Sequence, residues 1–302
     1  METNDQKMAF LISAYTQPKS LHALIRKLNQ MLEADFYVHI DLKVDLEPFR
    51  SGLKDLRNVF FVRNRVRVYW GGYTQVEMQM ALIEEMLQRN VRYLRVINLT
   101  GTDYPIVSGE TLYEKLSKTQ VEYICGFDVN SERRTGKKRM VYKYSRFYLM
   151  DTPRVIRAMI KRLCLPRFYY RIFEMPMYYG SEYWALTYNC LIELYKAYGE
   201  NKPLQRLLRY SFVPSEAWIH TVFFNSDWRK NALQQQEDSD DLIDLSPITY
   251  FKYTDSIQIL DENDYEDIVS SGRLFARKII AGRSDRLVAM LHDSNTVERQ
   301  PG

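Results

Sequence analysis

The sequence predicts an α/β protein with a mixed, mainly parallel central sheet flanked by helices. Three short apolar runs, at residues 8–15, 36–41 and 93–99, have the length and composition of buried parallel strands. A helix with one apolar face begins at Pro18, between the first two runs. A strand, a helix and a second strand in direct succession form a βαβ unit, whose right-handed crossover makes the two strands parallel.

The hydrophobic pattern continues this architecture along the chain. Further short strands are predicted at residues 59–62, 67–70, 121–124, 181–187 and 248–253. Further helices are predicted at residues 74–87, 110–116, 190–198 and 262–270. Because no internal repeat or low-complexity tract divides the sequence, we expect a single domain over residues 1–302.

Composition and charge describe an ordinary globular protein. Hydrophobic residues make up 46% and charged residues 26%, and a net charge of only +4 argues against a nucleic-acid-binding protein. Cys125, Cys164 and Cys190 show neither a disulfide framework nor CxxC spacing, which favours a reducing compartment. The sequence has no apolar run of about 18 residues and no signal-peptide pattern at its start. We therefore expect a cytoplasmic protein.

Residues 131–178 differ in character from the rest of the chain. Thirteen Lys and Arg residues lie between Arg133 and Arg171, interleaved with tyrosines and phenylalanines. We expect this basic and aromatic segment to be a functional insertion, on the side of the domain where a second substrate (the acceptor) binds. It would contact an anionic acceptor, or an anionic lipid surface such as the inner face of a membrane. Solvated basic helices are the plainer alternative, and for nucleic-acid binding the segment lacks a recognisable module.

Residues 212–221 contain the strongest candidate for a catalytic side chain. Pro214 ends the preceding segment, and Ser215 is a residue type that favours a helix N-cap. Glu216 is then predicted in the first turn of a helix, where the positive end of the macrodipole favours the ionised carboxylate. A rigidly held carboxylate is suited to be a general base. The alternative is that Glu216 only stabilises the helix, because acidic residues are common in first turns.

Acidic residues and glycines follow three of the predicted strands. Asp41 and Asp103 lie beyond strand ends, where open α/β sheets bind ligands, although each could instead cap a helix. Gly71 and Gly72 permit close approach of the backbone to a ligand, or form a plain turn. No GxGxxG sequence follows the first strand, so a dinucleotide cofactor is not expected.

Two adjacent cations, Arg277 and Lys278, lie between apolar residues near the end of the pattern. Apolar neighbours hold such side chains in place, which suits them to bind a phosphate group. A pair of surface cations is the alternative.

Several segments occur in an order that is typical of one enzyme family. They are residues 39–41 (HID), 70–72 (WGG), 98–105 (NLTGTDYP), 181–187 (SEYWALT), 213–216 (VPSE) and 274–278 (LFARK). Over about residues 8–280 the chain resembles the core-2/I-branching glycosyltransferases (glycosyltransferase family 14). That family includes β-1,6-N-acetylglucosaminyltransferases and peptide O-xylosyltransferases, and the resemblance is to its short bacterial members. Each segment alone is a weak signal, but the ordered set is specific.

The resemblance implies a GT-A-like nucleotide-sugar-binding fold and an inverting reaction that needs no divalent metal. The donor would be a UDP-sugar, most commonly UDP-GlcNAc in this family. The acceptor would be a hydroxyl group of a glycan or of a lipid-linked saccharide. UDP-xylose or another hexose donor is an alternative, as is a catalytically inactive protein of the same fold that binds a sugar or nucleotide. No cofactor is expected.

The resemblance also assigns residues to roles. Glu216 matches the catalytic base, Lys278 matches a ligand of the donor pyrophosphate, and Asp41 falls near the uridine. The other donor-side candidates are His39, Trp70, Gly71, Lys252 and Arg277. The acceptor-side candidates are Asp103, Glu132, Arg139, Tyr183 and Trp184.

Two features depart from the family pattern. Ser215 stands where the family usually has an acid before the base. A second pyrophosphate-binding arginine is expected upstream of Lys278, and Lys252 or Arg277 would have to replace it. GT-A enzymes usually neutralise the leaving diphosphate with a metal ion that an Asp-x-Asp sequence holds at the end of a strand. The only Asp-x-Asp sequence here, residues 238–240, lies in a polar acidic run with no predicted strand before it, so we expect a loop rather than a metal site. Fixed cations are then the remaining way to neutralise a leaving diphosphate.

Overall fold

The computed structural model describes residues 7–130, 137–152, 155–158, 174–235 and 245–297. The strands are β1 (Met8–Ala14), β2 (Ala34–Ile40), β3 (Val59–Phe61), β4 (Arg95–Thr100), β5 (Tyr104–Pro105), β6 (Glu122–Asp128), β7 (Tyr178–Gly180), β8 (Ala185–Thr187), β9 (Ala232–Gln235), β10 (Thr249–Phe251) and β11 (Phe275–Arg277). The helices are α1 (Pro18–Met31), α2 (Glu47–Ser51), α3 (Thr74–Leu87), α4 (Gly109–Leu116), α5 (Lys137–Ser145), α6 (Tyr188–Glu200), α7 (Lys202–Arg209), α8 (Trp218–Phe224), α9 (Tyr265–Ser270) and α10 (Asp285–Val297). Short 3-10 turns cover Pro214–Glu216, Asp227–Asn231 and Glu262–Asp264.

The central sheet has the strand order β3-β2-β1-β4-β8-β6-β7, with β9 alongside β6. Strands β3, β2, β1 and β4 are parallel neighbours, and β9 is parallel to β6. Strand β8 is antiparallel to β4 and β6, and β7 is antiparallel to β6. The predicted α/β class with a mixed, mainly parallel sheet is therefore confirmed, and the arrangement is consistent with a GT-A-like fold.

The three apolar runs that predicted the fold class are β1, β2 and β4, and they lie side by side. Phe10 of β1 is level with Phe36 of β2 and with Ile97 of β4. Successive side chains of a strand point to opposite faces. Phe10 accordingly packs in the core that α1 covers, whereas Leu11 packs in the core that α3 covers. Because helices cover both faces, the strands are apolar at consecutive positions rather than at alternate ones.

A smaller sheet, in the order β10-β11-β5, joins the end of the chain to its middle. Ala276 of β11 pairs antiparallel with Tyr104 of β5, and β10 is parallel to β11. This sheet has its own core, to which Leu291 of α10 contributes. The backbone N–H of Ile279 also donates to the carbonyl of Thr102 (2.9 Å). These contacts bring residues 277 and 278 against the loop that follows β4, which the sequence pattern did not predict.

Two predicted strands differ from the structure. Residues 67–70 form an extended loop rather than a strand, because side chains bind the polar groups that a neighbouring strand would otherwise bind. The carbonyl of Val68 accepts from Lys43 Nζ (2.5 Å), and the N–H of Tyr69 donates to Thr74 Oγ1 (2.9 Å). The strand predicted at residues 181–187 is shorter: residues 181–184 instead connect β7 to β8.

Several described residues of the predicted insertion contact the rest of the domain. Tyr144 of α5 is fully buried, and the N–H of Phe212 donates to the carbonyl of Lys143 (3.0 Å). The carboxylate of Asp151 accepts from the N–H of Tyr73 (2.8 Å), at the N-terminus of α3, and so caps that helix. This segment therefore forms one wall of the region in which the candidate catalytic residues lie.

Two observations concern the expected compartment. Cys125 and Cys190 are buried and form no disulfide, while Cys164 lies outside the described residues. Across the described ranges, every helix is too short or too polar to cross a membrane. The compartment and the single-domain organisation stay predictions.

Candidate active site

Two donor-side candidates, His39 in β2 and Asp41 directly after it, make contacts with neighbouring loops. The carboxylate of Asp41 accepts from the N–H of Lys43 (2.9 Å) and lies 3.3 Å from the Lys43 ammonium. His39 Nε2 accepts from the N–H of Val66 (2.8 Å). Burial lowers the pKa of His39 to about 4, so its ring is neutral near pH 7. His39 thus secures the loop after β3 against the sheet, next to the carboxyl end of β2 where Asp41 lies.

Trp70 and Gly71 lie on the loop that leads into α3. The Trp70 side chain is 69% exposed and meets the Phe212 ring edge-on, with centroids 5.5 Å apart. Gly71 has a φ of +77°, and a Cβ added there would lie 2.8 Å from the Phe212 ring, so only glycine fits. The carbonyl of Gly71 accepts from the N–H of Val213 (2.9 Å), which ties this loop to the Glu216 turn. An exposed ring at this position is suited to stack on a sugar or a base.

Glu216 lies in the 3-10 turn Pro214–Glu216, ahead of α8, rather than in the first turn of an α-helix. Val213 has a left-handed backbone (φ 52°), and Pro214 fixes the start of the turn. The predicted N-cap role of Ser215 is wrong, because its buried hydroxyl finds no hydrogen-bond partner among the described residues. The turn is anchored on both sides, by Gly71 before it and by the fully buried Trp218 after it.

The surroundings of Glu216 also differ from the expectation. Burial raises the pKa of Glu216 above its usual value, the opposite of the direction expected from a helix dipole. Two side chains counteract this burial: the Lys143 ammonium attracts the carboxylate, and the Tyr179 hydroxyl donates a hydrogen bond to it. The side chain keeps a partly exposed face. Glu216 is therefore a partly exposed carboxylate that is largely enclosed by protein, holds a hydrogen bond from Tyr179 and is stabilised by the charge of Lys143.

Lys143 is a site residue that the sequence analysis did not single out from the basic insertion. Its ammonium lies 3.9 Å from the centroid of the Tyr179 ring and 6.0 Å from that of Phe212. Burial lowers the pKa of Lys143, and the charge of Glu216 opposes this shift. Thirteen cations in one segment offered no pattern that would distinguish this one, because its role depends on contact with residues in β7 and the Glu216 turn.

Glu182 is a second acidic side chain that sequence reasoning missed. It lies in the connection between β7 and β8, and its backbone carbonyl accepts from Asn98 Nδ2 (2.8 Å). Burial, together with the negative charge of Glu216, raises the pKa of Glu182 to about 7, while Arg277 opposes the shift. The sequence held one sign that Glu182 is a site residue: it is an acid within the predicted strand 181–187, and wholly buried strands rarely carry an unpaired acid.

Arg277 points into the protein rather than towards solvent. Its side chain is 11% exposed, its guanidinium donates to the Tyr183 hydroxyl, and its Nε lies 3.7 Å from the Asp103 carboxylate. Asp103 also accepts from the N–H of Thr100 (2.7 Å). Arg277 and Asp103 therefore form a buried ion pair. Their predicted roles as direct ligands, of the phosphates and of the acceptor, do not match this position.

Of the two adjacent cations, Lys278 is the better placed to bind a phosphate group. It is partly exposed and forms no ion pair with a residue in the described ranges. Burial and the charge of Arg277 lower the pKa of Lys278, as expected of a cation that is held without a counter-ion. Lys252, in contrast, binds the carboxylates of Asp264 (2.6 Å) and Asp267 (2.7 Å). Its charge is already compensated, so it is a poor replacement for a second phosphate-binding arginine.

The acceptor-side candidates separate into two groups. Trp184 is fully buried in the main core and Tyr183 is 4% exposed, because the segment between β7 and β8 directs these rings inward. The predicted acceptor contacts of these two rings are therefore not supported. Glu132 lies outside the described residues, and the structure describes Arg139 only as part of α5.

The Asp-x-Asp sequence at residues 238–240, which was predicted to be a loop, also lies outside the described residues. The expectation that no strand precedes it is wrong, because β9 ends at Gln235. Among the residues that the structure does describe, no group of three or more His, Cys, Asp and Glu side chains could hold a metal ion.

These contacts define a site cluster that consists of Asp103, Lys143, Tyr179, Glu182, Tyr183, Glu216 and Arg277, with Lys278 beside it. In a comparison with protein families, the family model described as "Core-2/I-Branching enzyme" matches residues 8–257. The chain belongs to the core-2/I-branching enzyme family. The match covers β1 to β10 and every member of the site cluster except Arg277.

Individual relatives within the core-2/I-branching family are distant. A xylosyltransferase of Drosophila melanogaster is 24% identical over 232 residues, which cover 74% of this chain and 25% of the relative. The human β-1,3-galactosyl-O-glycosyl-glycoprotein β-1,6-N-acetylglucosaminyltransferase 3 is 28% identical over 106 residues, 32% of this chain and 24% of the relative. An enzyme of the same kind from bovine herpesvirus 4 is 26% identical over 134 residues, 41% of this chain and 30% of the relative. The matched segment thus spans about a quarter to a third of these relatives.

Proposed function

We propose that this core-2/I-branching family member transfers a sugar, with inversion, from a UDP-sugar to a hydroxyl group of a glycan or lipid-linked saccharide. The observation that carries the proposal is the setting of Glu216. A carboxylate that is enclosed, partly exposed, hydrogen-bonded by Tyr179 and faced by Lys143 has the features of a general base. Family membership supports the same reaction class.

The reaction follows from this arrangement. Glu216 accepts the proton of the acceptor hydroxyl as the acceptor oxygen attacks the anomeric carbon of the donor sugar. The bond between that carbon and the diphosphate oxygen breaks, and both bonding electrons leave with UDP. Attack on the face opposite the leaving group inverts the anomeric configuration. The Tyr179 hydrogen bond holds the carboxylate of Glu216 in one orientation, which lowers the entropic cost of reaching the reactive geometry.

Lys278 stabilises the charge of the departing diphosphate. Its ammonium is not neutralised by a described carboxylate, whereas the neighbouring Arg277 is paired with Asp103. A fixed cation directed at developing negative charge lowers the barrier to departure. We therefore propose that the reaction proceeds without a divalent metal.

The donor is proposed to be UDP-GlcNAc, the donor type indicated by the names of the human and viral relatives. UDP-xylose is the second candidate, because the Drosophila relative that matches 74% of this chain is a xylosyltransferase. The acceptor side is proposed to lie along α5 and the rest of the insertion. Phe147, Val155 and Ile156 are exposed apolar side chains there, suited to peripheral contact with a lipid surface on the cytoplasmic side.

A donor screen tests the proposal. Purified protein is incubated with UDP-GlcNAc, UDP-xylose and other UDP-hexoses, and thermal stabilisation and UDP release are recorded with and without a panel of glycan acceptors. We expect UDP-GlcNAc to stabilise the fold most and an acceptor to increase UDP release. Stabilisation by a donor without release, with any acceptor, would indicate a binding protein of the same fold. Absence of both effects with every donor would reject the proposal.

A further inference from the structure

A buried threonine of α8 binds the backbone of strand β7. The hydroxyl of Thr221 accepts a hydrogen bond from the N–H of Tyr178 (3.1 Å) and donates one to the carbonyl of the same residue (3.2 Å). The N–H of Val129 donates to the carbonyl of Met177, and the backbone groups of successive residues in a strand point to opposite sides. Those of Tyr178 therefore point away from β6, with which alone β7 pairs in the described part of the sheet. Thr221 thus binds the backbone groups that a further strand would otherwise bind.

Two paired glycines bring α8 close to the same strands. Gly126 of β6 lies opposite Gly180 of β7. A Cβ added to Gly126 would lie 3.1 Å from the His220 ring, and one added to Gly180 would lie 2.4 Å from that ring. The ring of Tyr178 also stacks on that of Phe224, with centroids 5.0 Å apart. Because neither glycine has a side chain, α8 packs closely on β6 and β7.

The threonine contact lies next to both ends of the hydrogen bond that orients Glu216. Tyr178 directly precedes Tyr179, whose hydroxyl donates to the Glu216 carboxylate. At the other end, the N–H of Thr221 donates to the carbonyl of Ala217 (2.8 Å), the residue that directly follows Glu216. A shift of α8 along β7 would therefore move the carboxylate relative to the hydroxyl. Because a hydrogen bond weakens steeply as its distance and angle depart from the ideal, such a shift would weaken it.

We propose that Thr221 is a positioning residue for Glu216, which locks α8 onto β7 so that the Tyr179 hydroxyl meets the carboxylate in one geometry. Because Thr221 is fully buried, it does not contact a substrate and acts through Tyr179. The catalytic importance of this contact rests on the proposed function, whereas the coupling between the threonine and the carboxylate does not.

The protonation of Glu216 reports on this geometry. Burial raises the pKa of Glu216, while Lys143 of α5 and the Tyr179 hydroxyl lower it. Glu182, in the connection between β7 and β8, is the other titratable group on which the charge of Glu216 acts. Loss of the Tyr179 hydrogen bond removes one of the groups that favour the ionised carboxylate, so the pKa of Glu216 should rise further. A residue that only stabilises the fold would leave this pKa unchanged.

Four substitutions separate positioning from general stability. Thr221→Val removes the hydroxyl and keeps the branched shape, whereas Thr221→Ser keeps the hydroxyl. Tyr179→Phe removes the hydrogen bond to Glu216 directly. Thr187→Val is the matched control, because Thr187 is a buried threonine whose hydroxyl donates to Glu122 (2.5 Å), outside the site cluster.

The first measurement is a carboxyl titration by NMR on protein with 13C-labelled glutamate, and it needs no substrate. The Glu216 signal is assigned by its absence in Glu216→Gln. We expect its midpoint to rise by about half a pH unit or more in Thr221→Val and in Tyr179→Phe, and to stay within about 0.2 units in Thr221→Ser and Thr187→Val. In the double variant, Thr221→Val should add nothing to the shift of Tyr179→Phe, because the threonine acts through that tyrosine.

Two results of the titration would overturn the proposal. One is an unchanged midpoint in a Thr221→Val protein that circular dichroism shows to be folded. The other is a double variant whose shift equals the sum of the two single shifts. If Thr221→Val does not fold, Gly126→Ala decides: its Cβ would lie 2.6 Å from the Phe224 ring and 3.1 Å from the His220 ring, so it forces α8 away from the sheet. It should raise the same midpoint, and an unmoved midpoint there would count equally against the proposal.

The second measurement is turnover, followed by UDP release. We expect Thr221→Val to lower kcat about tenfold and to leave KM for UDP-GlcNAc within about twofold, with the acid limb of the pH–activity profile at higher pH because the base must be ionised to act. Thr221→Ser should keep kcat within about threefold of the wild type. Equal effects of Thr221→Val and Thr187→Val on the acid limb would refute the positioning role. Absence of turnover in the wild type would instead reject the proposed transferase function, which the titration does not assume.

Discussion

The most informative perturbation is Glu216→Gln, because it removes the proton acceptor and leaves the shape of the side chain unchanged. The Tyr179 hydroxyl can still donate to the amide oxygen of glutamine, so the orientation of the group is preserved. The Lys143 ammonium, however, loses the charge that opposes its desolvation. We therefore expect the donor to bind nearly as in the wild type and turnover to fall.

The size of the effect follows from the role of the group. General-base assistance contributes about a hundred- to ten-thousand-fold, so turnover should fall at least about a hundredfold, or about 2.7 kcal/mol in barrier height. Loss of the negative charge that opposes the desolvation of the Lys143 ammonium should also lower stability. This second effect is moderate, because Lys143 retains its contact with the Tyr179 ring, 3.9 Å from the centroid.

The assay is UDP release with the preferred donor and an acceptor, together with calorimetry for UDP and thermal denaturation. Glu200→Gln serves as the control, since it makes the same chemical change on an exposed surface. A Glu216→Gln protein that turns over within a few-fold of the wild type would refute the assignment of the base. A protein that fails to bind UDP would instead show that the substitution had damaged the donor site.

Three further outcomes are expected. Lys143→Met should move the acid limb of the pH–activity profile to higher pH, because the lysine charge lowers the pKa of Glu216 and the base must be ionised to act. An unchanged acid limb would show that Lys143 does not influence the protonation of the base. Lys278→Ala should weaken UDP binding and slow turnover together, whereas EDTA should leave wild-type activity largely intact; loss of activity on chelation, with recovery on adding manganese, would contradict the proposed phosphate site. The protein should bind anionic vesicles more tightly than neutral ones and release them with salt, at about 1 kcal/mol per interfacial cation, and equal partitioning at low salt would exclude an electrostatic contact.

The sequence by itself determined the centre of the fold. Strands β1, β2 and β4 are buried on both faces, so apolar residues occupy consecutive positions in them, and such a run can be recognised without any knowledge of its neighbours. The segment around Glu216 was legible for a related reason. A proline followed by Ser and Glu restricts the backbone locally, and this predicted the start of a helix. A helix does follow, but Glu216 lies in a 3-10 turn ahead of it and Ser215 is not its N-cap.

The tertiary structure alone decided which side chains meet. Arg277 and Lys278 are adjacent and equally cationic, yet β11 directs the first towards Asp103 and leaves the second partly exposed. Glu182 and Lys143 lie 34 and 73 residues before Glu216, so no local spacing connects them to it. Their roles arise from desolvation and charge in a shared space. Such effects depend on distances between elements that are far apart in sequence, and a pattern of residue types does not contain those distances.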